Sequence, residues 1–217
     1  KINFSVPTGN FGDIYAGYMA KKMGLPIEKL IVATNENDIL QRVINKGIYK
    51  PSKVKASISP SMDIQVSSNF ERLLFYVLKS KDIEVKKLMN NLETKNFFKL
   101  SKTQKKLIQR DFAAVKVSNK ETKKIIKKIH KQNNFFVDPH TATAFYAANK
   151  IKTNHPCVIL GTAHPYKFLE TMTSVTGKKI KKPSQLSKLM VGKEKYDILR
   201  NNTNIVKKYI LEKNYED

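Results

Sequence analysis

The sequence predicts an α/β fold: an open, mostly parallel sheet with crossover helices, interrupted by a mainly helical insertion. Three observations carry that prediction. Short continuous apolar runs at residues 30–33 and 157–160 have the composition of strands buried on both faces. Stripes of apolar residues at three- and four-residue spacing, as in amphipathic helices, come after the early runs. Turns containing glycine or asparagine separate run from stripe, so strand and helix alternate in the order a parallel sheet requires.

In chain order, Ile2, Phe4 and Val6 alternate as in a half-buried strand. Pro7-Thr8-Gly9 turns the chain into a helix with Ile14, Tyr15, Tyr18, Met19 and Met23 on one face, ended by Gly24 and Pro26. Residues 29–34 form the next strand. Asn35-Glu36-Asn37-Asp38 closes that strand and caps a helix striped by Ile39, Leu40, Val43 and Ile44, which Gly47 stops. Residues 54–58 are expected as a further strand, followed by the serine-rich loop Ser59-Pro60-Ser61-Met62-Asp63.

Residues 69–112 hold helical spacings such as Phe70, Leu73, Leu74 and Val77, then Val85, Leu88, Met89 and Leu92. Val115 and Val117 suggest a short strand, and Ser118-Asn119-Lys120-Glu121 has the form of a capping box. The helix after it sets Ile125, Ile126 and Ile129 against a lysine face that reads as solvated, a nucleic-acid stripe being the alternative. Asp138 suits an N-cap and Pro139 a first helical position, ahead of a small-residue helix over 141–149. Residues 156–161 form another buried strand, and 184–215 are expected as outer amphipathic helices. The organisation is therefore 1–68 α/β, 69–134 mainly helical insertion, 135–176 α/β again and 177–217 helical.

With 217 residues and 41% hydrophobic content, the chain can bury a sizeable core. Its net charge of +23 taken alone suggests a polyanion partner. Arg42, Arg72, Arg110 and Arg200 are the only arginines, however, and phosphate and base recognition favour the arginine fork over lysine. A compositional lysine bias accounts for the charge, so nucleic acid is not the expected partner. The lone Cys157 excludes an internal disulfide and points to a reducing, cytoplasmic setting, and no run is long enough to span a membrane. Lys1 leads straight into the first strand with no initiator methionine or leader, the pattern of a chain that starts inside a domain.

Ligands of open parallel sheets sit beyond the carboxyl ends of the strands. Four unusual segments fall there: 8–13, 34–38, 59–63 and 161–165. In Gly9-Asn10-Phe11-Gly12-Asp13 the glycines permit a tight turn and close approach of a ligand, while the free amides of the following helix attract an anion such as phosphate. Packing alone is the other explanation of those glycines. Thr162 offers a hydroxyl at a strand terminus, to a ligand heteroatom or to the next helix as a cap. Asp13 and Asp63 either orient polar groups or cap. The four histidines lack metal-ligand spacing, so no metal site is expected, and Cys157 reads as a core thiol.

Taken in order, Val6-Pro7-Thr8-Gly9-Asn10-Phe11-Gly12-Asp13, Lys21-Lys22-Met23-Gly24-Leu25-Pro26, Ala33-Thr34-Asn35-Glu36-Asn37-Asp38, Ser59-Pro60-Ser61-Met62-Asp63, Val137-Asp138-Pro139-His140-Thr141-Ala142 and Thr162-Ala163-His164-Pro165 resemble the threonine synthase family. The resemblance covers residues 1 to about 170, the C-terminal portion of such an enzyme. It implies a partial tryptophan-synthase-β-like fold, the cofactor pyridoxal 5′-phosphate, and conversion of O-phospho-L-homoserine and water to L-threonine and phosphate. It also implies that Gly9, Asn10, Phe11, Gly12 and Asp13 wrap the cofactor phosphate and that Thr162 meets the pyridine nitrogen. The family's Schiff-base lysine belongs to an earlier segment, so no catalytic residue is assigned here, the missing N-terminal half is the implied partner, and the chain alone is expected to be inactive. A related phospholyase that releases phosphate without making threonine is the alternative within enzymes; a lysine-rich nucleic-acid-binding remnant of the fold is the alternative outside them.

Overall fold

The structure is a computed structural model that describes residues 1–184, 186 and 191–213. Lys1–Lys181 form one compact unit and Lys182–Asp217 a second. Strand β1 (Ile2–Pro7) leads through the glycine turn into α1 (Gly12–Lys22), then β2 (Ile27–Thr34) and α2 (Ile39–Lys46). Helix α2 buries Ile39, Leu40, Val43 and Ile44 and ends at Gly47, whose left-handed backbone (φ 76°) is open to glycine. A two-residue strand β3 (Ile48–Tyr49) precedes α3 (Phe70–Val77) and α4 (Asp82–Lys95) and pairs antiparallel with β4 (Phe98–Lys99).

Helix α5 (Lys102–Asp111) runs without a turn into β5 (Phe112–Lys116), followed by α6 (Asn119–Asn133) and α7 (Pro139–Lys150). The Ser118–Glu121 capping box forms at the start of α6, and Ser101 with Gln104 makes another at α5. Strand β6 (Cys157–Ile159) and α8 (Leu169–Thr176) complete the first unit. In the second unit α9 (Thr203–Lys213) is helical, but residues 191–202, expected as helix, form turn and irregular chain; within the same 184–215 stretch residues 185, 187–190 and 214–215 lie outside the described residues. Among the described residues no helix is long and apolar enough to cross a membrane.

The main sheet is parallel, in the order β5-β2-β1-β6. Its period-two alternation distributes side chains between two cores. Leu30, Val32, Phe112 and Ala114 join Val6, Ile14, Tyr18, Val43 and Ile44 on the face covered by α1 and α2. Ile31 and Ala33 face α7, packing on Ala144 and Ala147. The small residues let α7 lie close to the sheet, and Ser5 Oγ donates to the Ala144 carbonyl at 2.8 Å. That contact ties the middle of α7 to β1.

Two further expectations need correction. Residues 54–58 form no strand. Their polar groups are claimed by side chains: Lys55 N donates to Asn37 Oδ1 (2.8 Å), Ser57 N to Asp63 Oδ2 (2.8 Å) and Ile58 N to Asn119 Oδ1 (3.3 Å). The strand next to β2 is instead β5, so the mainly helical stretch also contributes to the main sheet. Strand β6 is half-buried, not buried: it pairs with β1 alone among the described residues, and Val158 is 38% exposed.

Candidate functional site

The site begins at the turn between β1 and α1. Phe11 adopts a left-handed backbone (φ 67°) at the N-cap of α1 and contributes no side-chain cap. A left-handed phenylalanine is costly unless its surroundings hold it. They do: the ring is 1% exposed, edge-on to Phe70 at 5.4 Å between centroids and tilted against Phe112 at 5.5 Å. Phe11 is therefore the anchor, and the turn presents backbone, not its aromatic ring, at its open side. The first intrahelical bond runs from Tyr15 N to Phe11 O, which leaves the amides of the first turn of α1 without helical acceptors. Gly9 serves packing: a Cβ there would lie 3.0 Å from Ser61 O and 3.3 Å from Met62 Cα. At Gly12 a Cβ meets only Asn69 Nδ2, at an ordinary 3.6 Å, so the space over Gly12 is open.

Opposite the turn stands the start of α7. Asp138 caps it, accepting from His140 N at 2.8 Å, Thr141 N at 3.3 Å and the Thr141 hydroxyl. Its Oδ1 also lies 3.2 Å from His140 Nδ1. Burial pushes the Asp138 carboxyl up, but these hydrogen bonds together outweigh burial and hold it below its ordinary value. An ionised Asp138 can only accept, so Nδ1 of His140 carries the proton of that bond. The ring is 3% exposed, leans on Phe168 at 4.9 Å between centroids, and its Nε2 has no hydrogen-bond partner among the described residues.

A buried polar network supports the third wall. Asp63 Oδ1 accepts from Asn35 Nδ2 (2.6 Å), Asn37 Nδ2 (3.0 Å) and Ser57 Oγ (2.6 Å). Asn35 Nδ2 also reaches Ser59 Oγ at 3.1 Å. The carboxyl end of β2 thereby fixes the loop whose Ser61 and Met62 meet Gly9. At the same strand end Asp38 joins Arg42 Nε (2.9 Å) and Lys116 Nζ (3.0 Å); burial raises its carboxyl, and these two partners more than reverse the effect.

Between these walls lies a cavity of about 290 Å³. Gly9, Asn10, Phe11, Gly12 and Asp13 all line it, and so does Thr162 from beyond β6. His140, Lys167, Ser61 and Met62 complete the part the chemistry concerns. Segments 8–13, 59–63 and 161–165 thus meet at one place, whereas 34–38 stays behind the wall as its support. A larger groove of about 850 Å³ lies among Lys46, Lys87, Lys99, Lys102 and Lys105, away from the strand ends. Its lining mixes those lysines with Glu84, Leu88, Asn91, Leu100, Ser101 and Gln104, and the amides of Ser101 and Gln104 are already paired within their capping box.

A sequence model of the family described as "Threonine synthase, C-terminal" matches residues 141–210. Threonine synthase of Saccharomyces cerevisiae is 41% identical over 98% of this chain and 46% of its own length; that of Pseudomonas aeruginosa is 38% identical over 96% and 45%. The crystal structure of a PLP-bound threonine synthase from Brucella melitensis superposes with a TM-score of 0.88 at 42% identity, covering 96% of this chain and 45% of that one. The chain is similar to threonine synthases over nearly its whole length. It spans about half the length of the threonine synthases it matches, and corresponds to their C-terminal portion.

Two cavity residues are not announced as such by the sequence. His140 stands in one of the family-like motifs and is excluded as a metal ligand but given no role of its own, although an aspartate N-cap two residues before it (Asp138) is the local signal that its Nδ1 has a partner. Lys167 was assigned no role, since the turn over residues 165–168 that brings it to the cavity has no apolar pattern to announce it. Among the described residues no cluster of histidine, cysteine and carboxylates suits a metal ion. Cys157 lies outside the cavity wall, and burial pushes its thiol up, away from the reactive thiolate.

Proposed function

We propose that this chain forms the phosphate cradle and ring contact of a pyridoxal 5′-phosphate-dependent threonine synthase, which converts O-phospho-L-homoserine and water to L-threonine and phosphate in the cytoplasm. The observation that carries the reading is the cavity in which the α1 N-terminus, Thr162 and the buried His140 converge at the strand ends. The residues present fit the cofactor: open space over Gly12, amides without helical acceptors, and a buried ring nitrogen without a partner. The likeness to a PLP-bound threonine synthase supports the same assignment.

In this reading the amides around Gly12 and Asp13 hold the cofactor phosphate, aided by the positive end of the α1 dipole. Phe11 keeps the turn in its left-handed form by burying its ring. The Thr162 hydroxyl meets the pyridine nitrogen, and unlike a carboxylate it does not force a proton onto that nitrogen. When bound, pyridoxal phosphate supplies the electron-accepting ring that proton removal and phosphate loss from the substrate require. The cofactor lysine belongs to the part of the relatives that this chain does not span, as does most substrate recognition.

The test is binding and turnover. The protein is titrated with pyridoxal 5′-phosphate and with pyridoxal, and phosphate and threonine are assayed with O-phospho-L-homoserine after the remaining portion is supplied. Preference for the phosphorylated vitamer and equal yields of both products are expected. Phosphate release without threonine would assign the phospholyase chemistry instead, and absence of any vitamer preference would remove the cradle.

A further inference from the structure

His140 has a place in this cavity that the phosphate cradle and the Thr162 contact leave unused. Five buried side-chain atoms lack a partner among the described residues: Asn3 Oδ1, Thr34 Oγ1, Ser67 Oγ, His130 Nδ1 and His140 Nε2. Of these, only His140 belongs to the cavity wall. Its ring is not adrift. Asp138 holds Nδ1 at 3.2 Å, Asp138 is itself fixed by two backbone amides and the Thr141 hydroxyl, and Phe168 flanks the ring. A side chain oriented this firmly, which lines a cavity of about 290 Å³ and whose second nitrogen is buried without a partner among the described residues, carries a desolvation cost that a ligand would offset.

We propose that His140 is a ligand-contacting residue whose Nε2 hydrogen-bonds a phosphate-group oxygen in the cavity, facing the amides of the α1 turn. The inference rests on the proposed function above and adds a side-chain contact to it. Because Asp138 fixes the proton on Nδ1, Nε2 of the neutral ring is an acceptor. It therefore takes the P–O–H of a singly protonated phosphate, or with that proton on the ring it donates N–H to the dianion; the proton count is the same either way. Lys167 and Asp13 are the other charged side chains of the wall, and Lys167 adds a cation to the same anion. The phosphate comes from the cofactor or from the substrate, two sources with one chemistry.

Two variants separate the ring's edges. His140→Asn keeps a donor at the Nδ1 place, facing Asp138, and deletes Nε2; His140→Gln puts an amide nitrogen at the Nε2 place. Loss of a hydrogen bond to a charged group should weaken pyridoxal 5′-phosphate by roughly ten- to a hundred-fold in His140→Asn, with pyridoxal changed less than about two-fold and much of the loss recovered in His140→Gln. A measurement on the unmutated protein does not depend on either variant folding: the ¹⁵N signal of His140 Nε2 should move from the bare toward the protonated position when phosphate occupies the cavity. Movement on adding pyridoxal 5′-phosphate assigns the cofactor phosphate; movement only when inorganic phosphate is added to the cofactor-saturated protein assigns the substrate's. A stationary signal in protein that binds pyridoxal 5′-phosphate, or equal loss of both vitamers in His140→Asn, overturns the contact and leaves the cradle standing. Failure of the unmutated protein to bind either pyridoxal 5′-phosphate or inorganic phosphate overturns the functional reading as well.

Discussion

At the scale of single residues, the two glycines of the turn do different work, and substitution should separate them. Alanine at Gly9 drives a Cβ to 3.0 Å from the Ser61 carbonyl, a backbone atom that cannot swing aside. The cost of such overpacking is about 1–3 kcal/mol, expected as a lower urea midpoint for Gly9→Ala with an unchanged slope. Alanine at Gly12 meets only the end of the Asn69 side chain at 3.6 Å, in a helical first turn that tolerates it. Stability of Gly12→Ala should stay within roughly 0.5 kcal/mol of the parent, and a fall in its affinity for pyridoxal 5′-phosphate would place the ligand against this turn. Equal vitamer binding by Gly12→Ala and the parent would show that no ligand approaches there. Spacing alone left both explanations of these glycines open, since φ and neighbouring atoms distinguish them and neither is written in the local sequence.

At the scale of elements, the start of α7 joins cap, site and pH dependence. Asp138 caps the helix through two amides, and removing an N-cap of this kind costs about 0.5–2 kcal/mol. Its carboxyl is held below the unfolded value of about 3.9, so the stability it contributes is fully present above that pH and is lost as pH falls through the lower folded value. Asp138→Ala should accordingly be least stable relative to the parent at neutral pH, and the gap should narrow on acidification below about pH 4. Urea midpoints of the two proteins across pH 2–7 check this; a gap that stays constant into strong acid would mean the carboxylate's charge contributes nothing. This element was legible: Asp138-Pro139 announces a helix start, and a continuous apolar run marks β2. Strand β5 was legible only in outline, because α5 passes into it with no turn between Asp111 and Phe112. The apparent strand at 54–58 misled for the opposite reason. Its alternation is genuine, but partners remote in sequence, Asn37 and Asn119, take its backbone groups.

At the scale of the whole first unit, the site depends on a chain of contacts that runs from the sheet to the cavity. The end of β2 carries Asn35, Asn37 follows, both grip Asp63, and the loop so held sets Ser61 and Met62 against Gly9. Alanine at Asp63 would strip one acceptor from each of the two buried asparagine amides, and from Ser57 as well. Leaving such groups short of partners costs about 1–3 kcal/mol apiece before relaxation, so Asp63→Ala should lose roughly 2–4 kcal/mol. The loss has a local signature: amide exchange should quicken at Ser57, whose N–H bonds Asp63 directly, and at Lys55, whose acceptor Asn37 is released. Affinity for pyridoxal 5′-phosphate should weaken too, although Asp63 does not line the cavity, because the wall opposite Gly9 is no longer fixed. Hydrogen exchange and vitamer titration on the same variant decide it. Faster exchange with unchanged binding would confine the network to folding, whereas both effects together would show that the sheet positions the cradle through this loop.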